Sequence, residues 1–199
     1  MADVMKVLGA SNHSKEEREG NDYYATPAVA VEELLKIEKF NNDILLEPAI
    51  GGGHIAKLFE NKKQIIGYDI IDRGYPNTIV KDFCEVKKEE LPEHYDIITN
   101  PPYGRKILLP FVTHCLDISP KDTKIAMLLK LQFLESEKRY LNIFRVYPPN
   151  RVHIFVKRIS CYKNGDFSIK DDSAICYCWY VWDKNESTKI TTVDWIYRK

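Results

Sequence analysis

The residues Asn100-Pro101-Pro102-Tyr103 carry groups that could hold a planar amine. The Asn100 side chain offers one carbonyl acceptor and one amide donor. The Pro101 carbonyl is a second acceptor, and neither proline has an N–H to compete with it. Tyr103 adds a flat ring. Two acceptors beside a ring suit the –NH2 group of a base or a carboxamide, because each acceptor takes one N–H while the ring holds the plane. Such an amine is a poor nucleophile, since its lone pair is delocalised. Hydrogen bonds to both N–H groups help it pyramidalise and carry the charge that develops during attack. Close placement against an electrophile supplies much of the rest. The simpler alternative is a proline-stiffened turn capping a core strand.

A second set of residues could hold the electrophile. Ile44 to Leu46 read as a short buried strand, Glu47-Pro48 ends it, and Gly51, Gly52 and Gly53 follow. Glycines let the backbone pass close to a ligand and take positive φ. The spacing Gly51-x-Gly53-x-x-Ala56 also fits a dinucleotide loop, so an NAD-type domain is the rival reading. Glu47 separates the two, because a carboxylate at that strand end suits a cationic amino-acid head better than a pyrophosphate. Asp69 ends the strand of residues 63–70 and could accept from two ribose hydroxyls, as the ribose carboxylate of such folds does.

Taken together, Asn-Pro-Pro-Tyr after a strand and Glu47-Pro48-x-x-Gly51-x-Gly53 resemble the motifs of S-adenosylmethionine-dependent amino methyltransferases. That family is best known as DNA adenine-N6 methyltransferases, with members acting on RNA and on protein glutamine. The motif order resembles the gamma arrangement of the DNA enzymes, and the short chain resembles phage-type ones. The resemblance implies catalytic roles for Asn100, Pro101, Pro102 and Tyr103, with Tyr103 stacking on the target. It implies a cofactor shell of Tyr24, Thr26, Glu47, Pro48, Gly51, Gly53, Asp69, Asp82, Phe83 and Asn100. Within that shell, Asp82 would accept from the cofactor adenine amine and Phe83 would flank its ring. Tyr24 and Thr26 would close over the methionine part. S-adenosylmethionine is the implied cofactor, with no metal, and N6 of adenine in DNA is the implied acceptor. RNA adenine, protein glutamine or a non-catalytic methyltransferase-like binding role are the alternatives. Arg105 and Lys106, just past the motif, are candidate substrate contacts through phosphate.

The elements that must carry these residues follow from hydrophobic pattern. Thr26-Pro27 reads as a helix start, N-cap then proline, with Val31, Leu34 and Leu35 inward. Strands are expected near 44–46, 63–70, 78–80, 95–99, 124–129, 151–158 and 174–182, with helices after the glycine loop and over 137–144. The alternation gives an α/β fold class, and its seven strands resemble the Rossmann-like, seven-stranded methyltransferase sheet, mostly parallel with a late antiparallel strand. In an open α/β sheet, ligands bind outside the carboxyl ends of the strands, where Asn100 lies.

At 199 residues the chain reads as one catalytic domain over 21–199, with a polar, flexible arm over 1–20. Only about 17 residues follow Trp182, so no separate target-recognition domain is expected. Target choice would then rest on 103–110 and 158–173, on the arm, on a homodimer or on a separate specificity subunit. Five cysteines without CxxC spacing argue against a disulfide framework. No signal peptide or membrane-length apolar run is visible, which gives a cytoplasmic expectation. Net charge is zero but uneven: residues 1–100 hold 12 Lys/Arg against 19 Asp/Glu, and residues 101–199 hold 17 against 10. The basic half starts at the Asn100 motif, which favours a polyanionic partner such as DNA. A chance spread of solvated lysines is the alternative.

Overall fold

Runs of apolar residues with no polar alternation mark strands covered on both faces. Leu45 and Leu46, Ile97 and Ile98, and Ile125 to Leu129 are all essentially inaccessible to solvent. The computed structural model describes residues 23–104, 106–168, 174–187 and 190–198; the expected arm over 1–20 and Arg105 lie outside them. The elements in order are β1 (Tyr24–Ala25), α1 (Ala28–Ile37), β2 (Ile44–Glu47), β3 (Gln64–Asp69), β4 (Ile79–Val80), β5 (Asp96–Thr99), α2 (Leu108–Ile118), β6 (Lys124–Lys130), α3 (Glu137–Arg139), β7 (Arg151–Phe155), β8 (Tyr162–Lys163), β9 (Tyr177–Asp183) and β10 (Thr192–Ile196). α3 runs straight into a π turn over Tyr140–Phe144.

Eight strands form one sheet in the order β10-β7-β9-β6-β5-β2-β3-β4. β9 is antiparallel to both neighbours and the other pairs are parallel. The seven expected strands are thus present, with the late antiparallel one between β6 and β7. The eighth, β10, comes from the segment after Trp182, where no strand was expected. Val193 and Trp195 do alternate with Thr192 and Asp194, but four of its five residues are exposed and only Ile196 is buried, as suits an edge strand rather than a core one.

Period two sorts the strand residues onto two faces. Leu46, Ile97, Ile125, Met127, Cys178, Tyr180 and Trp182 pack with α2 residues Phe111, Val112, Cys115 and Leu116. Leu45, Ile98, Ala126, Leu128, Trp179 and Val181 pack with Ala30, Val31 and Leu34 of α1. The aromatics of β9 bury their rings and satisfy their polar tips. Trp179 Nε1 donates to the Ala30 carbonyl and Trp182 Nε1 to the Tyr147 carbonyl, both at 2.9 Å. Truncating Trp179 would cost ~3–5 kcal/mol by the cavity it leaves.

Two local expectations change. The helix expected after the glycine loop is only a 3₁₀ turn over Ala56–Leu58. β3 begins soon after it, and the Phe59 carbonyl accepts from both Lys62 and Lys63 N–H, which closes the chain into a turn. Thr26 does not cap α1: Pro27 is the N-cap, and no side chain caps the helix. Thr26 is instead buried in the wall of the site described below.

At the other end of α1, Glu38 is buried among charges. It accepts from Lys124 Nζ at 2.9 Å and Arg151 Nε at 2.5 Å, and His153 Nε2 lies 3.0 Å from it. Asp183 lies 3.1 Å from Lys124 Nζ and completes the cluster. Burial alone would raise the Glu38 pKa, but the hydrogen bonds from His153, Arg151 and Lys124 outweigh it and hold it down at about 2. The cluster ties α1 to the amino ends of β6 and β7, far along the sheet from the Asn100 motif. His153 belongs to this cluster and not to the Asn100 end of the sheet.

Candidate active site

The sheet reverses strand order between β2 and β5, and the crevice at such a switch point is the usual ligand site. A cavity of about 400 Å³ opens there, within the ~300–1,000 Å³ range of small-molecule pockets. Glu47 ends β2 on one side of it and Asn100 follows β5 on the other. Of the residues singled out in the sequence, Tyr24, Thr26, Glu47, Pro48, Gly51, Asp69, Asp82, Phe83, Asn100, Pro101, Pro102 and Tyr103 all line it. Gly53 and Lys106 do not; Lys106 is exposed beyond the motif.

Asn100 is held by the strand at the start of the described chain. Its Nδ2 donates to the Tyr24 carbonyl at 3.0 Å, and Cys161 Sγ lies 3.8 Å from the same nitrogen. Its Oδ1 is buried without a partner. The reverse amide orientation would set two carbonyl oxygens against each other, so the Tyr24 carbonyl fixes which end faces inward. The buried end of the amide beside the cavity is therefore an acceptor, and it lacks a donor. A buried polar atom without its hydrogen bond costs ~1–3 kcal/mol, which a ligand N–H would recover.

Tyr103 is anchored rather than loose. Its hydroxyl donates to the Leu128 carbonyl at 2.5 Å, and its ring meets Tyr177 edge-on at 6.1 Å. Lys130 Nζ sits 5.6 Å from the ring centroid. Burial pushes the phenol well above its ordinary pKa, so it stays neutral. The end of β6 thus sets the plane of the Tyr103 ring in the cavity wall.

Glu47 is buried, and its Oε2 accepts from Ala56 N–H at 3.1 Å. Burial pushes its pKa well up, the Ala56 N–H offsets this in part, and the nearby Asp69 adds to the rise. A cation arriving beside it would reverse that balance. Asp69 accepts from Gly51 N–H at 2.9 Å and Ile71 N–H at 3.0 Å, and Arg73 Nε lies 3.6 Å away. It closes the glycine loop while keeping lone pairs toward the cavity. The two glycines differ in role. A Cβ on Gly51 would meet the Tyr23 ring at 2.9 Å beside the cavity, whereas one on Gly53 would meet the Tyr75 ring at 1.9 Å behind the loop. Both have positive φ, 53° and 72°.

Past β4, Asp82 accepts from Cys84 N–H at 2.9 Å through one oxygen. Phe83 is buried edge-on to Tyr68, with centroids 5.3 Å apart. Ile70 and Ile107, 57% and 52% exposed, stand at the mouth of the cavity with Phe83 and Phe111 in its wall. Asp82 lines the same cavity beside these apolar side chains. The sequence reading missed Ile70 and Ile107. The available signal was an isoleucine directly after a strand-end carboxylate, past the last paired residue. Tyr23, His54 and Arg73 were also missed. The Arg73 guanidinium lies 4.7 Å from the Tyr23 ring centroid, and these residues cover the glycine loop from outside.

No family model matches the chain, and no curated protein matches it. Solved structures do. A protein from Listeria monocytogenes, provisionally named a class I S-adenosylmethionine-dependent methyltransferase, gives a TM-score of 0.53 at 10% identity, over 85% of this chain and 62% of its own. The modification subunit of a provisionally named type I restriction enzyme from Vibrio vulnificus YJ016 gives 0.57 at 15% identity, over 84% of this chain and 46% of its own. A protein provisionally named a hemolysin from Lactococcus lactis gives 0.52 at 13% identity, over 84% and 91%. This chain spans less than two thirds of the length of the first two. Identities this low speak for the fold alone, and the fold is the Rossmann-like methyltransferase fold.

Proposed function

We propose that this protein transfers a methyl group from S-adenosylmethionine to N6 of adenine in DNA. The observation that carries the reading is Asn100 Oδ1: buried, unpartnered, and turned inward because the Tyr24 carbonyl holds the other end of the amide. The cavity also fits the cofactor by its donor set. Glu47 suits the cationic amino-acid head, Asp69 the ribose hydroxyls, and Asp82 with the Ile70–Phe83–Ile107 slot the adenine. When bound, the cofactor would supply an activated methyl on a sulfonium.

The chain's own part is orientation. Asn100 Oδ1 and the Pro101 carbonyl accept the two N–H groups of the target amine, which turns the nitrogen lone pair out of conjugation. The Tyr103 ring, pinned through Leu128, holds the base plane. The amine would thereby be presented to that methyl with its lone pair free, and the proton it gives up on transfer would pass to solvent. A duplex base would first have to leave the stack to reach the site.

DNA is favoured over other amines by position and charge. Lys106, Lys138, Lys157, Arg158 and Lys163 are exposed, and all follow the carboxyl ends of β5, β6 or β7, on the rim that bears Asn100. The modification subunit among the solved neighbours supports the same direction. The test is nucleoside mass spectrometry on unmethylated DNA incubated with protein and S-adenosylmethionine. N6-methyladenine is expected with the native protein, falling about 10²–10³-fold with Asn100→Ala. Product in RNA or protein but not in DNA would overturn the acceptor, and no product in any of them would overturn the activity.

A further inference from the structure

The loop after β7 reaches back to the strand that holds Asn100. β8 pairs antiparallel with β1, Tyr24 opposite Lys163 and Ala25 opposite Tyr162. The chain then turns at Asn164 and Gly165, both left-handed, with φ of 52° and 74°. This turn grips Tyr23 through both of its backbone groups. Asn164 N–H donates to the Tyr23 carbonyl at 2.8 Å, and Tyr23 N–H donates to Asn164 Oδ1 at 3.4 Å. The next carbonyl along is that of Tyr24, which accepts from Asn100 Nδ2 at 3.0 Å.

Space and packing hold the turn in place. A Cβ on Gly165 would lie 2.8 Å from the Tyr23 hydroxyl, so glycine is needed for room as well as for φ. Phe167 packs on Tyr162 with centroids 4.5 Å apart and on His54 at 5.4 Å, which seats the turn against the glycine loop. β1 is only two residues long, and a two-stranded pair of that size is marginal without further contacts. The grip on Tyr23 supplies them.

We propose that the Asn164-Gly165 turn is a positioning element for Asn100. By fixing β1, it keeps the Tyr24 carbonyl on Nδ2 and so keeps Oδ1 as the inward group. Without that carbonyl the amide is free to rotate by half a turn and present its donor end, which cannot bind an amine N–H. The consequence for methyl transfer rests on the proposed function, but the orientation of the amide can be observed without it.

The experiment is ¹⁵N NMR of the Asn100 side-chain amide in the unliganded protein, with its signal pair identified by its loss in Asn100→Ala. Asn164→Ala removes the side-chain acceptor and strains the left-handed backbone. Asn164→Gly removes the acceptor alone and keeps the backbone, so a folding defect in the first leaves the second to decide. Asn164→Asp keeps an acceptor for Tyr23 N–H. The Asn100 pair should shift or broaden in the Ala and Gly variants and return to its native position in Asp. Melting temperatures should stay within about 2 °C in Gly and Asp. Turnover at saturating cofactor should fall about tenfold in Asn164→Gly and recover in Asp. An unmoved Asn100 pair in both the Ala and Gly variants overturns the inference. A moved pair in a protein that methylates nothing upholds it and overturns the proposed function instead.

Discussion

Two buried glutamates, nine positions apart in the chain, face opposite fates. Glu38 sits at the amino-end cluster with an ammonium, a guanidinium and an imidazole on it, and its pKa is held at about 2. Glu47 sits at the cavity with one backbone N–H and a neighbouring Asp69, and its pKa is pushed up. Burial is similar, 5% and 2% exposed, so burial does not separate them. Completeness of the polar shell does. A satisfied buried charge is part of the scaffold, while an unsatisfied one at a strand's carboxyl end is waiting for a partner.

The contrast can be broken most forcefully at Glu38. Glu38→Ala removes the acceptor that Lys124, Arg151 and His153 share and leaves Asp183 and Glu186 to hold the two cations, and should cost ~3 kcal/mol, a fall of roughly 10 °C in melting temperature. Binding of S-adenosylmethionine by the folded fraction should be unchanged. Acid titration tests the same site without mutation. Because the folded pKa of Glu38 lies below the unfolded value of 4.5, its contribution is complete above 4.5 and drains away as pH falls toward about 2. That contribution is roughly 3 kcal/mol, and denaturant midpoints across this window should show it in the native protein and not in Glu38→Gln.

Glu47→Gln should act with the opposite signs. Calorimetry should find S-adenosylmethionine bound about 10–100-fold more weakly, the loss of a charge-assisted contact. The unliganded variant should be more stable at neutral pH, by about 1 kcal/mol. Above 4.5 the unfolded chain has released the Glu47 proton while the folded chain still holds it, so stability falls as pH climbs toward the raised value. Chemical denaturation at two pH values would show that slope lost in the variant. The smallest effect is a proton count. A cationic head draws Glu47 into its ionised form, so binding should release protons at pH between 4.5 and the raised value, read as a buffer-dependent heat that vanishes in Glu47→Gln.

The sequence made the strand ends legible and left their connections obscure. Glu47, Asp69 and Asn100 stand at the ends of apolar runs, and that position pointed to one site, while Asp82 joined them through the family resemblance; all four line one cavity. The partner of Asn100 was not legible, because β1 and β8 are two residues each and pair across more than a hundred positions with no periodicity to announce them. Ile70 and Ile107 hid for the opposite reason: isoleucine in a sequence reads as core, and here two of them stand half in solvent at the cavity. The 3₁₀ turn after the glycine loop carries helix-like spacing at Ile55 and Phe59, but the chain has no room for a helix before β3.

The place of β9 in the sheet has a consequence for synthesis on the ribosome. β7 touches only β9 and β10 within the sheet, and both are translated after it. Until residue 183 has emerged, β6 offers an open edge flanked by Ile125, Met127 and Leu129, and β7 has nowhere to dock. The nascent chain must therefore carry that apolar edge uncovered while residues 131–183 are made. A polypeptide stalled before Tyr177 should depend on holding chaperones that the finished protein does not need.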